Sequence, residues 1–153
     1  MHERNRRVTH IPDTNAFLKQ FQAFQTLIKT GGDLYSLGKG KFYREDGDLT
    51  LDVGPFTAAL EFATEKDAKV VGKPAAEFFL TALNDIGCKT EEAIMIGDDI
   101  VSDVGGAQKC GIQGVLVRTG KYRSSDENHP KVNPDKIVDN LKNFVDILLS
   151  SQK

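Results

Sequence analysis

Ile94-Met95-Ile96-Gly97-Asp98-Asp99-Ile100-Val101-Ser102-Asp103-Val104-Gly105-Gly106-Ala107 is the stretch on which the fold turns. From Ala93 to Ile96 the chain is continuously apolar, the pattern of a strand covered on both faces in a parallel sheet. Gly97 ends the run, and two carboxylates follow. A helix is expected from about Val101 to Cys110, closed by Gly111. Gly105-Gly106 falls inside that helical pattern, at a cost of about 1 kcal/mol per glycine relative to alanine. Close packing of the segment on the sheet, or on a site at its edge, would offset that cost.

On the C-terminal side, Gly114-Val115-Leu116-Val117 reads as a second buried strand. Residues 120–136 are polar and contain proline, so a long loop is expected. The chain then closes with an amphipathic helix carrying Ile137, Val138, Leu141, Phe144, Val145, Leu148 and Leu149. On the N-terminal side, Ala68-Lys69-Val70-Val71 is a strand, and Pro74 opens a helix with Phe78, Phe79, Ala82, Leu83 and Ile86 as its stripe and Gly87 as its stop. The order from Lys69 onward, β-α-β-α-β-loop-α, predicts an open parallel α/β sheet. Residues 14–67 read differently. Phe17, Leu18, Phe21, Phe24, Leu27 and Ile28 mark a helix ended by Gly31-Gly32, followed by the short strand 34–37. A hairpin turns at Glu45-Asp46-Gly47-Asp48, and a helix entered at Pro55 runs to about Thr64. A boundary is expected near residues 66–68, giving segments 1–13, 14–67 and 68–153.

Composition narrows the functional classes. The 153 residues are 39% hydrophobic and 27% charged, with a net charge of -2, ordinary values for a chain that buries a core unaided. That charge gives no reason to expect nucleic acid or membrane as partner. Arg4, Arg6, Arg7 and His10 read as a solvated tail, and no apolar segment follows them as a secretory signal would require. Cys88 and Cys110 match no metal spacing and no disulfide framework, so a reduced cytoplasmic protein, with the nucleus as a second compartment, is expected.

The chemistry concentrates at strand ends. Ligands of open α/β sheets bind beyond the C-terminal ends of the strands, where Asp98 and Asp99 stand. A hard cation such as Mg²⁺ takes one or two carboxylates together with water and phosphate oxygens. The competing reading is that Asp98-Asp99 merely cap a helix. Asp103, near the next helix start, can accept backbone N–H bonds or steady a ligand. In Val70-Val71-Gly72-Lys73-Pro74 a lysine follows one strand and precedes a helix, at the same sheet edge as Asp98. It can offset charge where a phosphoryl group meets a carboxylate. Alone, Gly-Lys-Pro reads as an exposed loop lysine; the later Gly-Asp-Asp makes the pair specific.

Val-Gly-Lys73-Pro, followed by Ile-Gly97-Asp98-Asp99-Ile-Val-Ser-Asp103-Val-Gly-Gly-Ala-Gln, resembles motifs III and IV of the haloacid dehalogenase superfamily. Leu37-Gly38-Lys39-Gly40-Lys41-Phe42-Tyr43, Leu51-Asp52-Val53-Gly54-Pro55, Val117-Arg118-Thr119-Gly120-Lys121-Tyr122-Arg123 and Ser125-Asp126-Glu127 strengthen the likeness, which covers roughly residues 14–150. The resemblance implies the C-terminal half of a Rossmann-like core (68–153) with part of an α+β cap (14–67), and an Mg²⁺-dependent phosphatase of the phospholysine, phosphohistidine and inorganic pyrophosphate type. It makes Lys73 the phosphoryl-contacting lysine and Asp98 the Mg²⁺ ligand, with Asp99, Asp103 and Gly97 supporting. The implied partners are a phosphorylated small molecule or a phosphorylated protein side chain, with a homodimer as the assembly such caps form.

The same family requires a nucleophilic Asp after an earlier core strand. No such residue is evident before the cap-like segment, so no catalytic residue is assigned, and Met1–Pro12 is expected to be an unrelated start. Asp46-Gly47-Asp48 has the required spacing but follows Tyr43-Arg44-Glu45, so a turn is expected there. Asp52, at the end of Leu49-Thr50-Leu51, is the better substitute, although the resemblance assigns it to the cap. The alternative function is a non-catalytic form that binds phosphate or a protein partner. A core half standing alone would expose strand edges, which favours association.

Overall fold

The computed structural model of the chain describes residues 14–150, without the side chains of 14–18, 20 and 21. The expected N-terminal tail and the contributions of Phe17, Leu18 and Phe21 to the first helix lie outside the described residues. The elements are α1 (Thr14–Thr30), β1 (Tyr35–Ser36), β2 (Phe42–Glu45), β3 (Asp48–Leu51), α2 (Val53–Thr64), β4 (Lys69–Val70), α3 (Ala76–Ile86), β5 (Ile94–Gly97), α4 (Gly106–Gln108), β6 (Gln113–Val117), β7 (Lys136–Val138) and α5 (Leu141–Ser150). A π-helical turn, Ile100–Gly105, leads into α4, and short 3₁₀ turns occupy Thr90–Glu92 and Ser124–Asn128.

β5, β6 and β7 form a parallel sheet with β6 in the centre. Gly114 to Val117 are all buried because both faces of β6 are covered. Val115 and Val117 pack with Val138 and Phe144 of α5 on one face. Leu116 packs with Ile100 and Val104 of the π-helical turn on the other. Phe79 and Leu83 of α3 join Ala107 and Ile112, with Met95 against them. Alternation along β5 therefore sends Met95 and Ile96 to opposite faces, which is why the run shows no polar side. The expected helix 101–110 is instead a π turn followed by a short α-helix. Asp103 and Val104 both donate their amides to the Asp99 carbonyl, at 3.0 and 3.2 Å, widening the first turn. The expected packing around Gly105-Gly106 is present, since a Cβ at Gly106 would press on the Phe79 ring.

The expected long loop runs over 118–135 and contains the 3₁₀ turn Ser124–Asn128. Ile137 and Val138, read as helix, belong to β7, because a three-residue strand is too short to show a period of its own. Asp135 begins this strand by donating its amide to Gly114 O at 2.9 Å while its carboxylate accepts from Gly114 N at 2.7 Å.

The other elements pack separately. Leu27, Leu34 and Leu60 join α1 to α2. β2 and β3 form the expected hairpin, with the turn at Asp46 (φ 50°) and Gly47 (φ 89°). β4, expected in the large parallel sheet, pairs in parallel with β1 instead. Its two residues are continued by Val71 N to Ser36 O and Lys39 N to Lys73 O, at 2.9 and 3.1 Å. α3 begins at Ala76, two residues after Pro74. Both cysteines are free thiols. Among the described residues no helix is long and apolar enough to cross a membrane.

Asp135 supplies a pH-dependent tie. The Gly114 amide, and then the Gln108 side chain, hold its carboxyl below the usual carboxylate range. A carboxyl lowered in the folded state contributes stability that is present above its unfolded value near ~4 and is lost as pH falls through the folded one. Asp135→Ala is expected to cost about 1 kcal/mol at neutral pH. In urea unfolding the gap to the parent chain should narrow below pH ~4; a gap that stays constant with pH would refute the tie.

Candidate functional site

β5 delivers Gly97 and Asp98 to its C-terminal end, and the chain then turns sharply. Asp103, 4% exposed in this otherwise apolar layer, folds back over that turn. Its Oδ1 accepts from Lys73 Nζ at 2.7 Å and its Oδ2 from the Asp99 amide at 3.2 Å. The Asp103 side chain fills the space where a Cβ on residue 97 would stand, so Gly97 is required by close approach. Lys73 reaches the same place from the far side of the cleft, fixed by the hydrogen bond between its carbonyl and Lys39 N.

Asp99 and Lys121 form a second pair. Asp99 Oδ1 accepts from the Val101 and Ser102 amides at 2.9 Å each. Its Oδ2 lies 3.0 Å from Lys121 Nζ. Burial pushes the Asp99 carboxyl up, but the Ser102 amide and the Lys121 ammonium outweigh it and hold it below the usual range. Burial pushes Lys121 down, and the Asp99 carboxylate more than restores it, with Asp98 and Asp52 adding to the effect. Both groups are therefore charged at neutral pH.

Asp98 lies between these pairs. Its Oδ2 accepts from the Lys121 amide at 2.8 Å. Gly120, at φ 55°, brings that loop so close that a Cβ would strike the same oxygen. Asp98 Oδ1 carries no hydrogen bond among the described residues, in a cleft that Lys73, Asp103 and Lys121 also line. The capping reading thus holds for Asp99 and not for Asp98. All five sequence-predicted residues, Lys73, Gly97, Asp98, Asp99 and Asp103, gather at this strand end. Asp52 borders the cleft too, but its Oδ1 caps α2 by accepting from Val53 N at 2.7 Å. Asp46 and Asp48 stay in the hairpin.

Sequence reasoning missed Lys121 as a site residue. The signal was available, because Lys121 follows a strand end as Lys73 does, but the three residues between Val117 and Lys121 hid which way the loop would fold. Among the described residues no three His, Cys, Asp or Glu side chains group closely enough to hold a metal by themselves. The donor chemistry still suits Mg²⁺, which needs one or two carboxylates and takes its other oxygens from water and phosphate. Asp98 is the carboxylate with an oxygen to spare, whereas Asp99 and Asp103 are engaged by lysines.

In this α/β fold a strand ends in a carboxylate whose cleft two lysines also line, at the sheet edge where ligands of such folds bind. The HAD-hydrolase-like family matches residues 70–144. The phospholysine phosphohistidine inorganic pyrophosphate phosphatase of Xenopus laevis is 58% identical over 132 residues, covering 86% of this chain and 49% of that protein. Human haloacid dehalogenase-like hydrolase domain-containing protein 2 is 53% identical over 113 residues, covering 74% and 42%. The solved 4-nitrophenylphosphatase of Thermotoga maritima shares the fold with a TM-score of 0.74 at 23% identity, over 88% of this chain and 51% of that one. The chain is related to the haloacid dehalogenase-like hydrolases, and it spans about half the length of the curated relatives it matches.

Lys73→Met should cost about 3 kcal/mol in urea unfolding, because it leaves the Asp103 carboxylate, 4% exposed, without its cation. Asp103→Ala should cost less, since the Lys73 ammonium it releases is 39% exposed and water can solvate it. Equal losses for the two variants would refute the assignment of Asp103 as the buried anchor.

Proposed function

We propose that residues 68–153 supply the C-terminal half of an Mg²⁺-dependent phosphatase core and that residues 14–67 supply part of its cap. The observation that carries this reading is the single cleft in which Lys73, Asp98, Asp103 and Lys121 converge. Lys73, oriented by Asp103, neutralises the phosphoryl group. Asp98 offers its spare oxygen to the cation, and Asp99 and Gly97 keep the turn in shape. When bound, Mg²⁺ supplies charge neutralisation for phosphate oxygens. The substrate class, from the relatives' names, is phosphohistidine, phospholysine or inorganic pyrophosphate. A homodimer through the cap segment fits the exposure of Leu37 and Phe62, 82% and 89%. The free cysteines suit a reducing compartment, the cytoplasm or the nucleus.

The nucleophile is proposed to come from outside these residues. Besides Asp98 and Asp103, Asp52 is the acid bordering the cleft of Lys73, and its Oδ1 is engaged as a helix cap. That engagement also favours a second reading, a form of the chain that binds phosphate or a partner without turnover. Joined to the N-terminal half of the Xenopus relative, the chain should release phosphate from pyrophosphate only with Mg²⁺. Asp98→Asn should lower that rate by roughly 100-fold or more, following the loss of a directly coordinating group. Retained activity in Asp98→Asn would overturn the site. Turnover by the 153-residue chain alone would exclude the second reading.

A further inference from the structure

A second cleft adjoins the first, shares Asp98 and Lys121 with it, and opens towards the β2–β3 hairpin. The hairpin is fastened to the loop after β6. Arg44 Nε donates to Gly120 O at 2.8 Å, and Lys121 Nζ lies 3.4 Å from Phe42 O. At that junction the Arg123 guanidinium stacks on the Phe42 ring, 4.2 Å from its centre. Stacking fixes the plane of the guanidinium without using its N–H donors. Lys41 lines the same cleft, and neither Lys41 nor Arg123 has an ion-pair partner among the described residues. His129 also faces this space and accepts the Lys131 amide at Nδ1, at 3.3 Å, which leaves Nε2 as its donor. The other cations here are already matched, Lys39 by Glu61 and Lys121 by Asp99.

We infer that Lys41, Arg123 and His129 form a second anion subsite, which holds the distal phosphoryl group of a diphosphate while Lys73 holds the reacting one. The inference deepens the phosphatase reading and rests on it. Its physical basis is charge placement. Free donors on Lys41, Arg123 and His129, in the cleft that Asp98 also lines and beside Asp126, whose Oδ2 already accepts the Arg123 amide, favour a ligand with two linked anionic centres over one. It selects for diphosphates or for phosphorylated side chains with an anionic neighbour, and it gives the cap hairpin a direct part in selectivity through Phe42 and Lys41.

The test uses the 153-residue chain with Mg²⁺, inorganic phosphate and methylenediphosphonate, a diphosphate that cannot be hydrolysed, followed by calorimetry and NMR. Methylenediphosphonate should bind about tenfold more tightly than phosphate, the value of one added charge-assisted contact. Lys41→Ala and Arg123→Ala should each remove most of that preference while leaving phosphate affinity unchanged. Arg123→Lys should restore part of it, since charge returns without the stacked fork. Phosphate binding that Lys73→Ala abolishes, combined with an unaltered diphosphonate preference in the Lys41 and Arg123 variants, would overturn the subsite and leave the phosphatase reading standing. Failure of both ligands to bind would overturn both. Lys41 and Arg123 are exposed, and unchanged thermal unfolding of these variants would show that any loss is local.

Discussion

The buried carboxylate of Asp103 is the contact on which the site depends. It lies under the turn after β5, ties down the amide of Asp99 and holds the ammonium of Lys73 from the opposite wall. A buried carboxylate without partners is costly, so the fold holds it in place only while both partners are present. Gly97 follows from the same constraint, since the carboxylate occupies the space of a side chain there. One group therefore links a strand end, a π-helical turn and a segment thirty residues earlier in the chain.

A second pair, Asp99 with Lys121, repeats the arrangement on the other side. Each lysine is paired with its own acid, so Asp98 has no ion-pair partner among the described residues. This leaves one carboxylate with an accepting oxygen in a cleft whose acids outnumber its lysines, a place where a cation can enter and bring a phosphate with it. The relatives' names fit that reading, and the geometry explains why an Asp-Asp pair serves two purposes, with one residue capping and one facing the cleft.

The hairpin gives the cleft a second wall. It reaches the β6 loop through Arg44 and through the stacking of Arg123 on Phe42, so the segment 42–51 meets residues 118–123 directly. β4 pairs with β1 and then delivers Lys73, so the smaller sheet positions a residue that serves the larger one. The two parts of the chain are thus joined at the site itself.

The sequence by itself determined the parallel α/β character, the hairpin, the gathering of Lys73, Gly97, Asp98, Asp99 and Asp103, and the relation to the haloacid dehalogenase-like hydrolases. Each of these is written in local patterns: a two-sided apolar run, a strand-end acid, an Asp-Gly turn. It could not show that β4 joins β1, because a strand of two residues pairs wherever its neighbours lead it. Nor could it reveal β7, whose short apolar run merges with the helix that follows. Lys121, and the facing of Arg123 and Lys41, were also decided by the tertiary structure. Their positions depend on how a loop folds back over a strand end and where a hairpin docks, and side-chain type and spacing carry no record of either.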